Sequence, residues 1–168
     1  MMLAEKYAER IEKIFSKYPT KRSAVMPLLY VAQEEYGYIT PEGINEVAAL
    51  CDLDPTQVRS IAGFYTMYRE RPKGKYWLQV CTDLACALKG ADEFYDELLH
   101  ELELDHDHDT TEDGVFSVEH VMCLGACDRA PMMQCNFHFS KRYDNLDIEQ
   151  ARALIAEMRE QAKSANGA

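Results

Sequence analysis

Two close cysteine pairs constrain this chain more than any other feature. Cys81-x4-Cys86 and Cys123-x3-Cys127 are separated by 36 residues, and each pair follows a run that reads as a β-strand. A strand end followed by a turn directs two thiolates at one point. That suits a metal, because two sulfurs on one ion, with metal–sulfur bonds of about 2.3 Å, lie about 4 Å apart. Gly125, inside the second loop, permits backbone conformations closed to other residues, and amides of such a loop can donate hydrogen bonds to sulfur. The first residues, MMLAEKYAER, contain no apolar h-region, so secretion is not expected. Six cysteines in such a chain point to metal or redox chemistry before disulfides.

Spacing alone leaves the kind of centre open. A zinc site with four cysteine ligands uses the same donors and accepts two to four residues within a pair. A thiol–disulfide enzyme would prefer C-x-x-C at a helix N-terminus, a spacing neither pair has. A [2Fe–2S] cluster fits two pairs, one per iron, although the spacing differs from the plant-type run.

The rest of the chain supplies the scaffold. Ala4, Tyr7, Ala8, Ile11, Ile14 and Phe15 form one apolar stripe at helical spacing. A second helix is expected from about Ser23 to Tyr36, with Pro27 near its start and Gly37 as its stop. Thr40-Pro41 and Asp54-Pro55 place a capping side chain before a proline and mark two more helix starts. Four helices thus fit the first 70 or so residues. The turn-rich Arg71-Pro72-Lys73-Gly74 is the best domain boundary, dividing residues 1–72 from 73–168. Beyond it come a β-type run at Tyr76–Val80, a helix carrying Ala91, Phe94, Tyr95, Leu98, Leu99 and Leu102, and a strand at about Val115–Val121. Met133, Cys135, Phe137 and Phe139 alternate with Gln134, Asn136 and His138 as one half-buried strand. A final helix shows Ile148, Ala151, Leu154, Ile155 and Met158 on one side. The fold class is α+β: a helical bundle followed by a small β-α-β-β-α sandwich.

Charge narrows the partners. Residues 1–72 carry nine Lys/Arg against ten Asp/Glu and residues 73–168 nine against nineteen, which divides the net −11 into −1 and −10. Nucleic-acid binding is not expected, since it requires a basic face. The longest nearly unbroken apolar stretch, Ala24–Ala32, is too short to span a bilayer, so direct membrane insertion is not expected either. Neither G-x-G-x-x-G nor a P-loop occurs, so the chain shows no nucleotide site of its own.

The stretch HVMCLGACDRAPMMQ at 120–134 resembles the second cysteine motif of the 24 kDa subunit family of respiratory complex I, the E subunits of NADH-quinone oxidoreductase. QEEYGYITPEGI at 33–44, IAGFYTMY at 61–68, VCTDLAC at 80–86 and TEDGVFSV at 111–118 are similar to that family too, in order and across nearly the whole chain. The resemblance implies a thioredoxin-like ferredoxin domain behind the helical bundle and one [2Fe–2S] cluster, with Cys81 and Cys86 on one iron and Cys123 and Cys127 on the other. It also implies a partner, the FMN- and NADH-binding flavoprotein subunit, together with other subunits of the complex I peripheral arm. The location implied is the cytoplasmic face of the membrane, within a larger complex. The same module is similar to diaphorase subunits of NAD-linked hydrogenases and formate dehydrogenases. A four-thiolate zinc scaffold is the alternative of another class. Acidic surroundings, Asp83 and Asp128 among them, favour a negative potential, which Arg129 offsets if it turns inward.

The remaining candidates have plain readings. His106 and His108, in DHDHD, read as solvated loop residues, and His100, His120 and His138 as surface or outer-layer groups. Cys51 and Cys135 read as small buried hydrophobes. Tyr65, Met67, Tyr68 and Trp77 read as core, and the helical segment as a docking element.

Overall fold

The computed structural model describes residues 2–136 and 138–166, and for residues 138–142 and 165–166 the backbone alone. The chain forms two compact units, Met1–Pro72 and Lys73–Ala168.

The first unit is helical: α1 (Met2–Lys6), α2 (Ala8–Phe15), α3 (Val25–Tyr36), α4 (Pro41–Cys51) and α5 (Pro55–Phe64). The stripe expected as one N-terminal helix is two. Tyr7 departs from helical geometry at φ −117° and ψ 24°, and its hydroxyl donates to Glu35 at 2.7 Å. A short 3-10 turn, Lys21–Ala24, leads into α3, and the Ser23 amide donates to its cap, Thr20 Oγ1. Gly37 ends α3 at φ +80°, a left-handed position that costs a glycine nothing. Thr40 caps α4 through the Gly43 amide at 3.0 Å, and Asp54 caps α5 through the Thr56 amide at 2.8 Å. Each cap is followed by proline at the first helical position, where the missing N–H would have had no partner. Val25, Leu28, Leu29, Val31 and Ala32 of α3 are all buried, with Val47, Ala48 and Val58 in the same core. Burying a Val or Leu side chain stabilises by about 1.5–3 kcal/mol. Cys51 belongs here as the last residue of α4, and burial pushes its thiol up to about 11.

The second unit is a four-stranded sheet in the order β2-β1-β3-β4, with strands β1 (Tyr76–Cys81), β2 (Phe116–Val121), β3 (Met132–Cys135) and β4 (His138–Asp144). Strands β1 and β2 are parallel, while β1–β3 and β3–β4 are antiparallel. The helices are a single turn α6 (Leu84–Ala87), α7 (Ala91–Glu101) and α8 (Ile148–Asn166). The run expected as one strand at 133–139 is a hairpin. Asn136 turns the chain at φ +56°, donates from its backbone amide to the Trp77 carbonyl at 2.9 Å and accepts from the Trp77 amide at 2.9 Å. Asparagine tolerates that left-handed geometry. Phe137 lies outside the described residues, as do the side chains of His138 and Phe139.

All six residues of β1 are buried, so the strand is covered on both faces. Tyr76, Leu78 and Val80 point into a core built with Phe94, Leu98 and Phe116 and with Ile155 of α8. The alternate residues, Trp77, Gln79 and Cys81, point the other way. There the Gln134 amide donates to Gln79 Oε1 at 3.0 Å, which satisfies a buried polar pair. At the start of the unit, Gly74 lies against β2: an added Cβ would meet the Phe116 carbonyl carbon at 2.5 Å and the Ser117 nitrogen at 2.8 Å.

Candidate metal centre

Parallel register is what brings the two cysteine segments together. Cys81, the last residue of β1, pairs with Val121, the last residue of β2. The Thr82 amide extends the ladder by donating to the Val121 carbonyl at 3.1 Å. Two residues beyond Val121 stands Cys123, so segments 36 residues apart in sequence leave the sheet side by side.

After Cys81 the chain does not run on as a loop. Asp83 caps α6, its carboxylate accepting from the Leu84 amide at 2.9 Å, and Cys86 sits on that turn. The Cys86 amide donates to the Asp83 carbonyl at 2.8 Å. The Cys81 and Cys86 thiols are within hydrogen-bonding reach of each other, and both are almost wholly enclosed, at 2% and 1% exposed. Ala91, Ala126, Ala130 and Met132 pack around them, with Leu124 alongside. The second cysteine loop therefore folds down over the first pair.

The second pair is open. Cys123 and Cys127 are exposed, with their sulfurs 3.5 Å apart. Gly125, at φ +77°, donates its amide to Cys123 Sγ at 3.4 Å. Cys127 begins a 3-10 turn, Cys127–Arg129, closed by the Arg129 amide on the Ala126 carbonyl at 2.9 Å. The Ala130–Pro131 bond is cis. Arg129 pairs with Asp128 and Asp144, both at about 3.3–3.4 Å.

Charge reaches from one cysteine pair to the other. Burial pushes Cys86 up to about 12, reinforced by the hydrogen bond and charge of Cys81 and by the charge of Cys127. The hydrogen bond to Cys123 raises Cys127, with charge at Cys123 and Cys81 adding to it. Cys86 and Cys127 thus resist ionising beside their neighbours until a cation joins them.

This donor set fits iron and sulfide. All four groups are soft thiolates. The open pair has nearly the 3.8 Å or so that two sulfurs on one tetrahedral ion require. Among the described residues no group of three or more His, Cys, Asp or Glu is placed to hold one metal ion. The cysteines stand as an enclosed pair, Cys81 and Cys86, and an open pair, Cys123 and Cys127. Residues 11–159 match the family model of the thioredoxin-like [2Fe–2S] ferredoxins.

The chain belongs to that family. Its cofactor, as a thioredoxin-like [2Fe–2S] ferredoxin, is a [2Fe–2S] cluster. It is similar to the E subunit of the NADH-quinone oxidoreductase of Mycobacterium tuberculosis, at 42% identity over 148 residues covering 88% of this chain and 57% of that protein. The ferredoxin thus spans little more than half the length of that relative. It is also similar to NADH-quinone oxidoreductase subunit 2 of Thermus thermophilus, at 47% identity over 128 residues covering 75% and 70% of the two chains. A crystal structure of an NAD+-reducing [NiFe]-hydrogenase in the H2-reduced state shares the fold, with a TM-score of 0.66 at 19% identity over 80% of this ferredoxin and 22% of that chain.

Other residues of the ferredoxin take places the sequence did not reveal. His120 and His106 both face the buried Tyr95 ring, at 5.7 and 5.9 Å between centroids, and His106 reaches Asp96 at 3.3 Å. They line a crevice of about 280 Å³ with Thr82 and Asp92. Trp77 and Tyr68 are core, whereas Tyr65 is 36% exposed. Among the described residues no helix is long and apolar enough to cross a membrane.

Proposed function

We propose that Cys81, Cys86, Cys123 and Cys127 hold the cluster, the enclosed pair on one iron and the open pair on the other. The observation that carries this is the joining of two sulfur pairs at one end of a single sheet. When bound, the cluster supplies a one-electron centre. The chain's own residues give it an asymmetric setting. Ala126, Ala130 and Met132 exclude water from the Cys81–Cys86 side, while the Gly125 amide stabilises negative charge on Cys123 sulfur. Arg129 stays with Asp128 and Asp144 rather than turning toward the sulfurs.

The whole protein then acts as an electron-transfer subunit of an NADH:quinone oxidoreductase, trading electrons with the FMN of an NADH-oxidising flavoprotein. It has no substrate site of its own and works on the cytoplasmic face of the membrane among other subunits. Residues 73–168 form the redox domain, and residues 1–72 a helical docking domain. The names of the relatives and the thiolate donor set support this reading.

The test is anaerobic purification of the chain with its flavoprotein. Iron and acid-labile sulfide should each approach about two per chain, and NADH should bleach the visible absorption only when the flavoprotein is present. A colourless protein holding one zinc would overturn the cluster assignment. Co-purification with a soluble hydrogenase, rather than a quinone-reducing assembly, would overturn the parent enzyme.

A further inference from the structure

All six cysteines are free thiols, and only Cys123 and Cys127 are exposed; Cys51, Cys81, Cys86 and Cys135 are buried. The two exposed sulfurs lie 3.5 Å apart. A disulfide bond is about 2.0 Å long, so joining them needs a closure of only about 1.5 Å. The loop between them has room to move. Gly125 stands at φ +77°, and nothing lies within 4 Å of the place a Cβ would take there.

The other close pair is shielded. Cys81 and Cys86 are 2% and 1% exposed, packed among Ala91, Ala126, Ala130 and Met132. Ala126 belongs to the same loop as Cys123 and Cys127, so the segment that opens one pair also covers the other. A dissolved oxidant therefore meets the outer sulfurs and not the inner ones. Exposed thiols are the ones that exchange with small disulfides, and exposed disulfides are the readily reduced ones.

We infer that Cys123 and Cys127, before the chain acquires its cluster, form a reversible oxidation site for low-molecular-weight disulfides, and that the bond between them closes the centre to iron. The inference rests on the ligand assignment proposed above, because a bond joining these sulfurs withholds two of the four ligands. One thiolate of the pair attacks a sulfur of the small disulfide, whose S–S bond breaks and releases one thiolate. The second thiolate of the pair then attacks the mixed disulfide and releases the other. Cys123 and Cys127 give up two electrons and two protons, and the small disulfide takes them up as two thiols. Excess thiol runs the same steps backward and reopens the centre.

The experiment uses the full chain, freed of iron by a chelator under anaerobic, reducing conditions and then titrated with glutathione disulfide. Two of the six thiols should be lost. Peptide mapping should join Cys123 to Cys127, while Cys51, Cys81, Cys86 and Cys135 react with iodoacetamide once the chain is denatured. The oxidised chain should take up neither iron nor sulfide until dithiothreitol is added, and should then take up both. Cys127→Ser should keep glutathione on Cys123 as a lasting mixed disulfide, since no second thiol displaces it. A bond to Cys81 or Cys86, or loss of four thiols, would overturn the inference, as would an oxidised chain that still loads iron and sulfide. If the fully reduced chain takes up neither, the ligand assignment itself fails and the gate falls with it.

Discussion

Cys123 and Cys127 bring their sulfurs to 3.5 Å on the open side of the site, whereas Cys135, only eight residues further on, has no exposure at all. On the proposed assignment the first two are ligands of the cluster; the third sits in the core beneath α8 with Leu78, Met133 and Met158. The same substitution should therefore have opposite consequences at the two places. Cys123→Ser replaces a soft ligand with a hard one and should bleach or destabilise the cluster. Cys135→Ser buries a hydroxyl, costing about 1–3 kcal/mol, and should leave the visible spectrum unchanged. Absorption and chemical denaturation of both variants separate the effects; loss of the cluster in Cys135→Ser would refute the ligand assignment.

The cluster-free chain should react with alkylating agents in a defined order. Iodoacetamide attacks the thiolate, so access and pKa both count. Cys123 is exposed, and Cys127 is exposed but raised by its hydrogen bond to Cys123. Cys86 is enclosed and pushed up to about 12, chiefly by burial. At pH 8, peptide mapping should find Cys123 modified first, Cys127 next and Cys86 much later. Equal labelling of Cys86 and Cys123 would show that the loop over the first pair is not closed in the absence of cluster.

Local chemistry makes much of this fold readable in advance. Thr40-Pro41 and Asp54-Pro55 announce helices because a cap and a proline satisfy the first turn without tertiary help. Strand β1 is legible as a short run of aromatic and aliphatic residues broken only by Gln79, and the spacing within each cysteine pair is local as well. The hairpin at Asn136 is not legible, because the alternation of Met133, Cys135, Phe137 and Phe139 passes through the turn unbroken. Its one signal is an asparagine able to adopt positive φ. Tyr7 interrupts a stripe whose periodicity continues on both sides. At the site, α6 is too short to show a period. The meeting of the two cysteine pairs depends on Cys81 lying in register with Val121, a pairing across 40 residues that no local pattern encodes.

Gly74 reads in the sequence only as part of a turn, yet it has no room for a side chain. An alanine Cβ would come within 2.5 Å of the Phe116 carbonyl carbon, and that backbone is fixed by its pairing with β1. The Gly74 amide also donates to Ser117 Oγ at 2.7 Å. Gly74→Ala should therefore push the segment off β2 and destabilise the second unit by about 1–3 kcal/mol. Trp77, the single tryptophan of the sequence, lies three residues away and reports the transition by fluorescence. An unchanged midpoint in urea would mean that the approach of Gly74 to β2 is looser than the structure shows.

Asp105 and His108 form an exposed pair whose response to pH follows from geometry. The imidazole Nδ1 lies 3.0 Å from Asp105 Oδ1, and that hydrogen bond, helped by the carboxylate charge, raises His108 above its usual value. Asp105 is lowered by the same hydrogen bond, and then by the amides of Asp107 and His108, which both donate to it. A raised histidine stabilises below its ordinary pKa of about 6.5 and loses that contribution as pH rises through the folded midpoint. A lowered carboxylate stabilises above about 3.9 and loses its contribution as pH falls. The pair therefore holds the acidic loop best between roughly pH 4 and 6.5. Both groups are solvent-exposed, so melting temperature should hardly change. Asp105→Asn should move the NMR titration midpoint of His108 down toward the ordinary histidine value. A midpoint that stays where it was would assign the shift to the general acidity of the loop, including Asp107, rather than to this contact.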